Sequence, residues 1–227
     1  MKMKTLALMM ALATTPALAA PLHLEVYNPQ QQGVFPVSST LVSGAHEAML
    51  IDAQFSPKDG EKLVQMIKAS GKKLTQIVIT SGDPDFYFGL EPIVKAFPQV
   101  KIVASPVVVE HIEATKAAKL AYWGPKMPGG APSQIYVPQI THQTTFSVEG
   151  ERIELRHAGD KSAYLWIPAN RAVLGGTAIA SGIHVCTADT QTPASREQWS
   201  NVLREIQQLQ PKVVIPGNYL GARPGGD

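Results

Sequence analysis

The chain has 227 residues, enough to bury the core of one or two domains. A hydrophobic content of 44% and a charged content of 17% describe a globular chain and exclude a disordered one. With 20 basic and 18 acidic residues and no Lys/Arg cluster, it lacks the electrostatic footprint of a nucleic-acid binder.

Residues 1–19 read as a secretory signal: Lys2 and Lys4 form the charged start, residues 6–13 an apolar run, and Ala17-Leu18-Ala19 the small-residue cleavage pattern. The expected product is residues 20–227, periplasmic or secreted. It carries no second apolar segment of spanning length, so no membrane span is expected in it. Loss of Lys2 and Lys4 takes the 20 basic residues to 18, equal to the 18 acidic ones. The one cysteine, Cys186, excludes an internal disulfide and is expected as a buried, inert thiol.

After short apolar pieces at residues 22–24 and 34–37, expected as proline-flanked edge strands, a hairpin is predicted from residues 39–43 and 48–52. Residues 58–70 are predicted helical, with Leu63, Val64 and Ile67 on the apolar face and Gly71 as the stop. A buried strand over 76–79 enters a loop over 80–89. A helix over 90–97 leaves it, with Leu90, Ile93, Val94 and Phe97 on one face. A strand over 101–104 and an amphipathic helix over 107–120, with His111 in its middle, complete a first half. Residues 121–138, rich in Gly and Pro around Tyr122 and Trp123, read either as a lid loop over a pocket or as a linker. The second half begins with strands at 145–148, 152–155, 163–167 and 172–174. A helix over 193–209 follows, with Trp199, Val202, Leu203 and Ile206 on one stripe, and a strand over 212–215 ends it.

The loop Thr80-Ser81-Gly82-Asp83-Pro84-Asp85-Phe86-Tyr87-Phe88-Gly89 sits at the carboxyl end of a strand, where open α/β sheets place their sites. Two carboxylates two residues apart, beside Gly and Pro, are acids held on a tight turn; an ordinary polar turn is the competing reading. The loop resembles the metal loop of the metallo-β-lactamase superfamily, Thr-His-x-His-x-Asp-His-x-x-Gly. Thr80, Pro84, Asp85 and Gly89 fit, while Ser81, Asp83 and Phe86 stand at the histidine positions. A secreted branch of the superfamily carries a similar Gly-Asp-Pro-Asp-Phe-Tyr-Phe-Gly after a first histidine, which makes Ser81 this chain's own departure.

The resemblance spans about residues 39–221 and implies a four-layer αββα sandwich, one domain over 20–227 with halves at about 39–120 and 140–221. It implies that Asp52, ending the hairpin, supports the metal loop. It points to His157, in Arg156-His157-Ala158-Gly159-Asp160, as a ligand, with a hydrogen-bonding turn histidine as the alternative. Thr177 stands where a bridging aspartate is expected, and Asn218 where a Pro-Gly-His ends.

Asp83, Asp85, His157 and Asn218 are thus the candidate metal ligands, Asp83 and Asp85 the candidate catalytic groups, and Asp52, Ser81, Phe86, Thr177, His184 and Asp189 the candidate lining. Zinc prefers nitrogen or sulfur donors, so this set implies at most one divalent cation and no tight zinc pair. Three functions follow. The first is an exported hydrolase-like enzyme acting on a small ester, lactone or amide. The second is a catalytically silent descendant, a pseudoenzyme that binds a small molecule or protein partner in the cleft. The third is an assembly factor that uses the fold as a scaffold.

Overall fold

The computed structural model describes residues 20–224; the expected signal segment, 1–19, lies outside them. In chain order the strands are β1 (His23–Tyr27), β2 (Ser39–Ser43), β3 (Glu47–Ile51), β4 (Lys73–Val78), β5 (Lys101–Ala104), β6 (Gln139–Ile140), β7 (Thr145–Val148), β8 (Glu151–Arg156), β9 (Tyr164–Ile167), β10 (Ala172–Leu174), β11 (Ala180–Ser181), β12 (Val213–Ile215) and β13 (Asn218–Tyr219). The helices are α1 (Pro57–Ser70), the single turn α2 (Pro84–Tyr87), α3 (Leu90–Ala96), α4 (Pro106–Trp123) and α5 (Pro193–Gln208).

One sheet runs β1-β2-β3-β4-β5-β6 and a second runs β12-β10-β9-β8-β7, while β11 and β13 form a short parallel pair. In the first sheet β1, β2 and β3 are antiparallel and β3 to β6 parallel. The central strands are apolar at successive positions because both their faces are buried, and the two-residue period of a strand sends neighbours to opposite sides.

Thus Leu41, Ala48, Leu50 and Ile77 meet Leu63 and Ile67 of α1, Leu90 and Ile93 of α3 and Val108, Val109 and Ile112 of α4. Their neighbours Val42, Met49, Ile51 and Val78 meet Phe146, Ile153, Leu165, Ile167 and Leu174 of the second sheet. On that sheet's far side Tyr164, Trp166 and Val173 pack on Val202 and Ile206 of α5. Helix, sheet, sheet, helix: the architecture is the αββα sandwich.

Most predicted elements appear with small shifts, but residues 34–37, expected as an edge strand, form only an isolated bridge from Val37 to Asn218. Gly71 ends α1 in the left-handed conformation at φ 67°, and Ser56 caps its start by accepting from Asp59 N. The loop over 80–89 contains the turn α2. In α5 Leu203 departs from the expected stripe and is 37% exposed, whereas Trp199 is held by its Nε1 donating to Ala178 O at 2.7 Å. Residues 121–138 are less irregular than expected, since α4 continues to Trp123 and a 3-10 turn occupies Gly124–Lys126. No helix among the described residues is long and apolar enough to cross a membrane.

The layer between the sheets should be the most sensitive part of the core. Leu165, fully buried there, is a direct probe. Leu165→Ala should lower unfolding free energy by about 2–5 kcal/mol, read as a lower urea midpoint; an unchanged midpoint would contradict the packing described.

Candidate functional site

The site loop is placed by one buried chain of hydrogen bonds. Asp52 follows β3 with φ 62°, its own N–H donating to Val78 O at 2.9 Å. Its carboxylate accepts from Thr80 N at 2.8 Å and Thr80 Oγ1 at 2.7 Å. Having given its proton to Asp52, the Thr80 hydroxyl accepts from Gly176 N at 2.7 Å, which reaches the second sheet. Burial pushes the Asp52 pKa up to about 7, and the charge of Asp85 adds to it, against the two Thr80 bonds. Gly89 closes the loop by donating to Gln54 O at 2.8 Å; a Cβ there would lie 2.1 Å from Ala53 O, so only glycine fits.

Within this frame Asp83, the Ncap residue of α2, and Asp85 inside it face a cleft of about 420 Å³. Phe35, Val107 and Trp123 line it on one side and Ala178, Ile183 and Val185 on the other. The segment before β2 lies against the chain's end: Ser38 N donates to Gly217 O at 2.8 Å and Tyr219 N to Pro36 O at 3.0 Å. This pairing sets Asn218 over Asp85, whose Oδ2 accepts from Asn218 Nδ2 at 3.1 Å. Burial pushes the Asp85 carboxyl up to about 7, the Asp83 charge adds to this, and the Asn218 bond opposes it. Asp83 is raised by burial first and then by the charge of Asp189.

The other expected residues fall in different places. Ser81 lines the cleft and its Oγ accepts from Asp83 N at 3.2 Å. Thr177, His184 and Asp189 line it too, the last two on an exposed segment between β11 and α5. Cys186 belongs to that segment and is exposed, which corrects the expectation of a buried thiol: past β11 the chain has no core to enter. Phe86, expected to line the site, is 0% exposed and packs in the core between α1, α3 and the first sheet.

His157 is not among the cleft's lining residues. Its Nδ1 lies 3.2 Å from Asp160 Oδ2 and its Nε2 2.7 Å from Glu205 Oε2 on α5. A ring between two carboxylates donates from both nitrogens, the charged form. Burial pulls the His157 pKa down, but Glu205 and Asp160 outweigh it and the net direction is up. Glu205 also accepts from Tyr164 Oη at 2.5 Å, so the cluster ties α5 to its sheet. His157 thus holds the fold where the resemblance expected it to hold metal, and the turn-histidine reading describes its contacts better.

The positions expected to carry ligands therefore do not fit a zinc pair. Phe86 offers no donor and packs in the core, Asn218 donates its Nδ2 to Asp85 and has only a neutral amide oxygen to offer a metal, and both nitrogens of His157 are occupied. His111, whose place in the middle of a helix suggests a surface or packing residue rather than a ligand, lies on α4 with Nε2 3.9 Å from Asp83 Oδ1. The signal was present: His111 follows Val108 by three and precedes Ile112 by one, so it rides the buried stripe of its helix. Lys119 and Lys161, unremarked in the sequence, bring the cationic side chains of the cleft.

A family model described as the metallo-beta-lactamase superfamily matches residues 32–218. Among solved structures, the fold is similar to that of a metallo-beta-lactamase from Pontibacter korlensis, at 22% identity and TM-score 0.60, over 91% of this chain and 88% of that one. It is similar to TMB-1 at 18% identity and TM-score 0.57, over 87% and 89%. It is also similar to the metallo-beta-lactamase DIM-1 exposed to ceftazidime, at 16% identity and TM-score 0.59, over 88% and 90%. The comparison with curated proteins gives no match.

The Asp52 carboxyl makes the fold's stability depend on pH. A folded-state pKa raised to about 7 keeps the proton in the fold at pH values where the unfolded chain has lost it. This contribution is full below about pH 4 and is lost as pH rises through about 7, by at most about 1.4 kcal/mol per unit. Asp52→Asn cannot ionise, so its stability relative to the parent should improve between pH 4.5 and pH 8. Urea unfolding across that range would show it; parallel profiles would contradict the assignment.

Proposed function

Because the chain belongs to the metallo-β-lactamase superfamily, we propose that it is an exported hydrolase-like protein acting on a small ester, lactone or amide without the family's zinc pair. The observation that carries this reading is the pair Asp83 and Asp85 on the floor of a cleft whose walls are largely apolar. A substrate with an apolar body fits between Phe35, Trp123 and Ile183 and presents its carbonyl to the floor. Asp85 is oriented by Asn218, sits within α2 and lines the cleft, so its remaining acceptor capacity is available to a water there. In the step, the water oxygen bonds to the carbonyl carbon and its proton passes to the Asp85 carboxylate. That proton then goes to the leaving alcohol or amine as the C–O or C–N bond breaks. Lys119 or Lys161 offers an ammonium for the oxyanion or for a substrate carboxylate.

A panel of p-nitrophenyl esters, lactones and a cephalosporin tests this. Turnover above buffer should be found for at least one class, and Asp85→Asn should lower kcat at least 100-fold with an unchanged circular dichroism spectrum. Full activity in Asp85→Asn would overturn the role given to it. A second reading, the silent binder, is favoured by the Asn218–Asp85 bond, which satisfies the floor internally. Saturable binding of the same compounds without turnover would select it.

We propose export through residues 1–19. Mass spectrometry of the periplasmic fraction should show a chain beginning at Ala20, cleaved after Ala19. A chain retaining Met1 or Lys2 there would refute the proposal.

A further inference from the structure

Three side chains from three separate elements converge on the cleft wall: Asp83 from the loop after β4, His111 from the middle of α4, and Asp189 from the segment between β11 and α5. One ligand atom from each lies within 4.8 Å of the other two. We propose that Asp83, His111 and Asp189 form a binding site for one divalent transition-metal cation. Of the three, only Asp83 occupies a position at which the family loop pattern has a ligand; α4 and the segment between β11 and α5 supply the others.

Distance argues first. His111 Nε2 stands 3.9 Å from Asp83 Oδ1, too far for a hydrogen bond. Two donors each about 2.1 Å from one ion lie between roughly 3 and 4.2 Å apart, so this gap is the size of a coordination edge. The 4.8 Å spread needs only a small inward movement of the exposed Asp189 segment. His111 is held in place meanwhile: it packs so closely on the loop that a Cβ at Gly82 would lie 2.6 Å from its Cδ2.

Charge argues second. Asp83 and Asp189 face each other, and Asp85 lies just beneath. Lys161 Nζ is 3.8 Å from Asp189 Oδ1 and offsets part of one charge, while His111, with Lys119 and Lys161 after it, offsets part of the other. A dication between them turns this repulsion into attraction. Unmet polar groups argue third. The Tyr87 hydroxyl, on a fully buried side chain of the same loop as Asp83, has no hydrogen-bond partner. Neither has the buried hydroxyl of Thr190, next to Asp189 on the cleft lining. One imidazole nitrogen with two carboxylates is a mixed donor set that suits Mn²⁺ or Zn²⁺ better than Ca²⁺, which takes six to eight oxygens.

The inference shares Asp83 with the hydrolytic reading but does not need turnover, so its test uses no substrate. The full mature chain, stripped with chelator and dialysed, is titrated with Mn²⁺ by calorimetry and electron paramagnetic resonance, and with Zn²⁺ against a chromogenic chelator. One ion per chain is expected, bound at least tenfold more weakly by His111→Ala and by Asp189→Asn. Exposed His142 serves as the control, His142→Ala binding as the parent does. Asp189 lies on an exposed segment, so its substitution leaves the core untouched and misfolding cannot explain a loss there. No saturable binding of either ion by the parent, or parental affinity in either cleft variant, would overturn the proposal.

Discussion

A single buried carboxylate, that of Asp52, holds the site loop, and through it the two sheets are set in register at one edge. Its two oxygens take both protons that Thr80 can give, from the backbone and from the hydroxyl. The hydroxyl, its only proton spent, becomes an acceptor with one direction left, and Gly176 fills it. Such a chain has a fixed polarity, so removing any member leaves a buried group unpaired, at about 1–3 kcal/mol each. The close approach of backbones around it explains the glycines on the second sheet: a Cβ at Gly176 would lie 1.9 Å from Ala163 O, and one at Gly217 1.8 Å from Gly176 O. Packing and polarity agree on one arrangement, and Asp83, Asp85 and Asn218 inherit their positions from it.

The fold was largely legible because its signals are repetitive. Val42, Met49, Ile51 and Val78 face one layer while Leu41, Leu50 and Ile77 face the other, so continuous apolar runs announce strands buried on both sides. Helix boundaries were equally open to reading, since Ser56, Pro57 and Gly71 mark α1 by local chemistry alone. The site was legible only in part. Asp83, Asp85 and Asn218 sit within short motifs tied to strand ends, where backbone geometry fixes the neighbourhood. His157 misled because a turn histidine beside an aspartate has the same local sequence whether its partner is a metal or Glu205, 48 residues away. His111 by its sequence suggests only a surface or packing residue, because what a helical side chain meets depends on which loop crosses it, and spacing along the helix records no more than the face it lies on.

The cleft joins parts of very different firmness. Its floor belongs to the most constrained backbone in the molecule, bounded by Asp52, Gly89 and the short pair β11–β13. Its outer wall, carrying His184, Cys186 and Asp189, is exposed along its length and anchored at its ends by β11 and by the Thr192 cap of α5. A rigid floor with an adjustable wall lets a site keep its geometry while accommodating what enters it.

The three apolar layers also set an order of assembly. The fully buried residues of the layer under α1, α3 and α4 all fall within 37–127, and those of the layer under α5 within 164–206. The layer between the sheets draws on both halves, from Leu22 to Ile215. As the chain emerges, the first half can therefore complete its helical side while Val42, Met49, Ile51, Val78 and Val103 wait bare on the other. Without the second sheet those five residues would leave a flat, strand-built apolar face bare, the kind of surface that draws chaperones or self-association. Docking of the second sheet, rather than formation of any one element, is the event that covers this face.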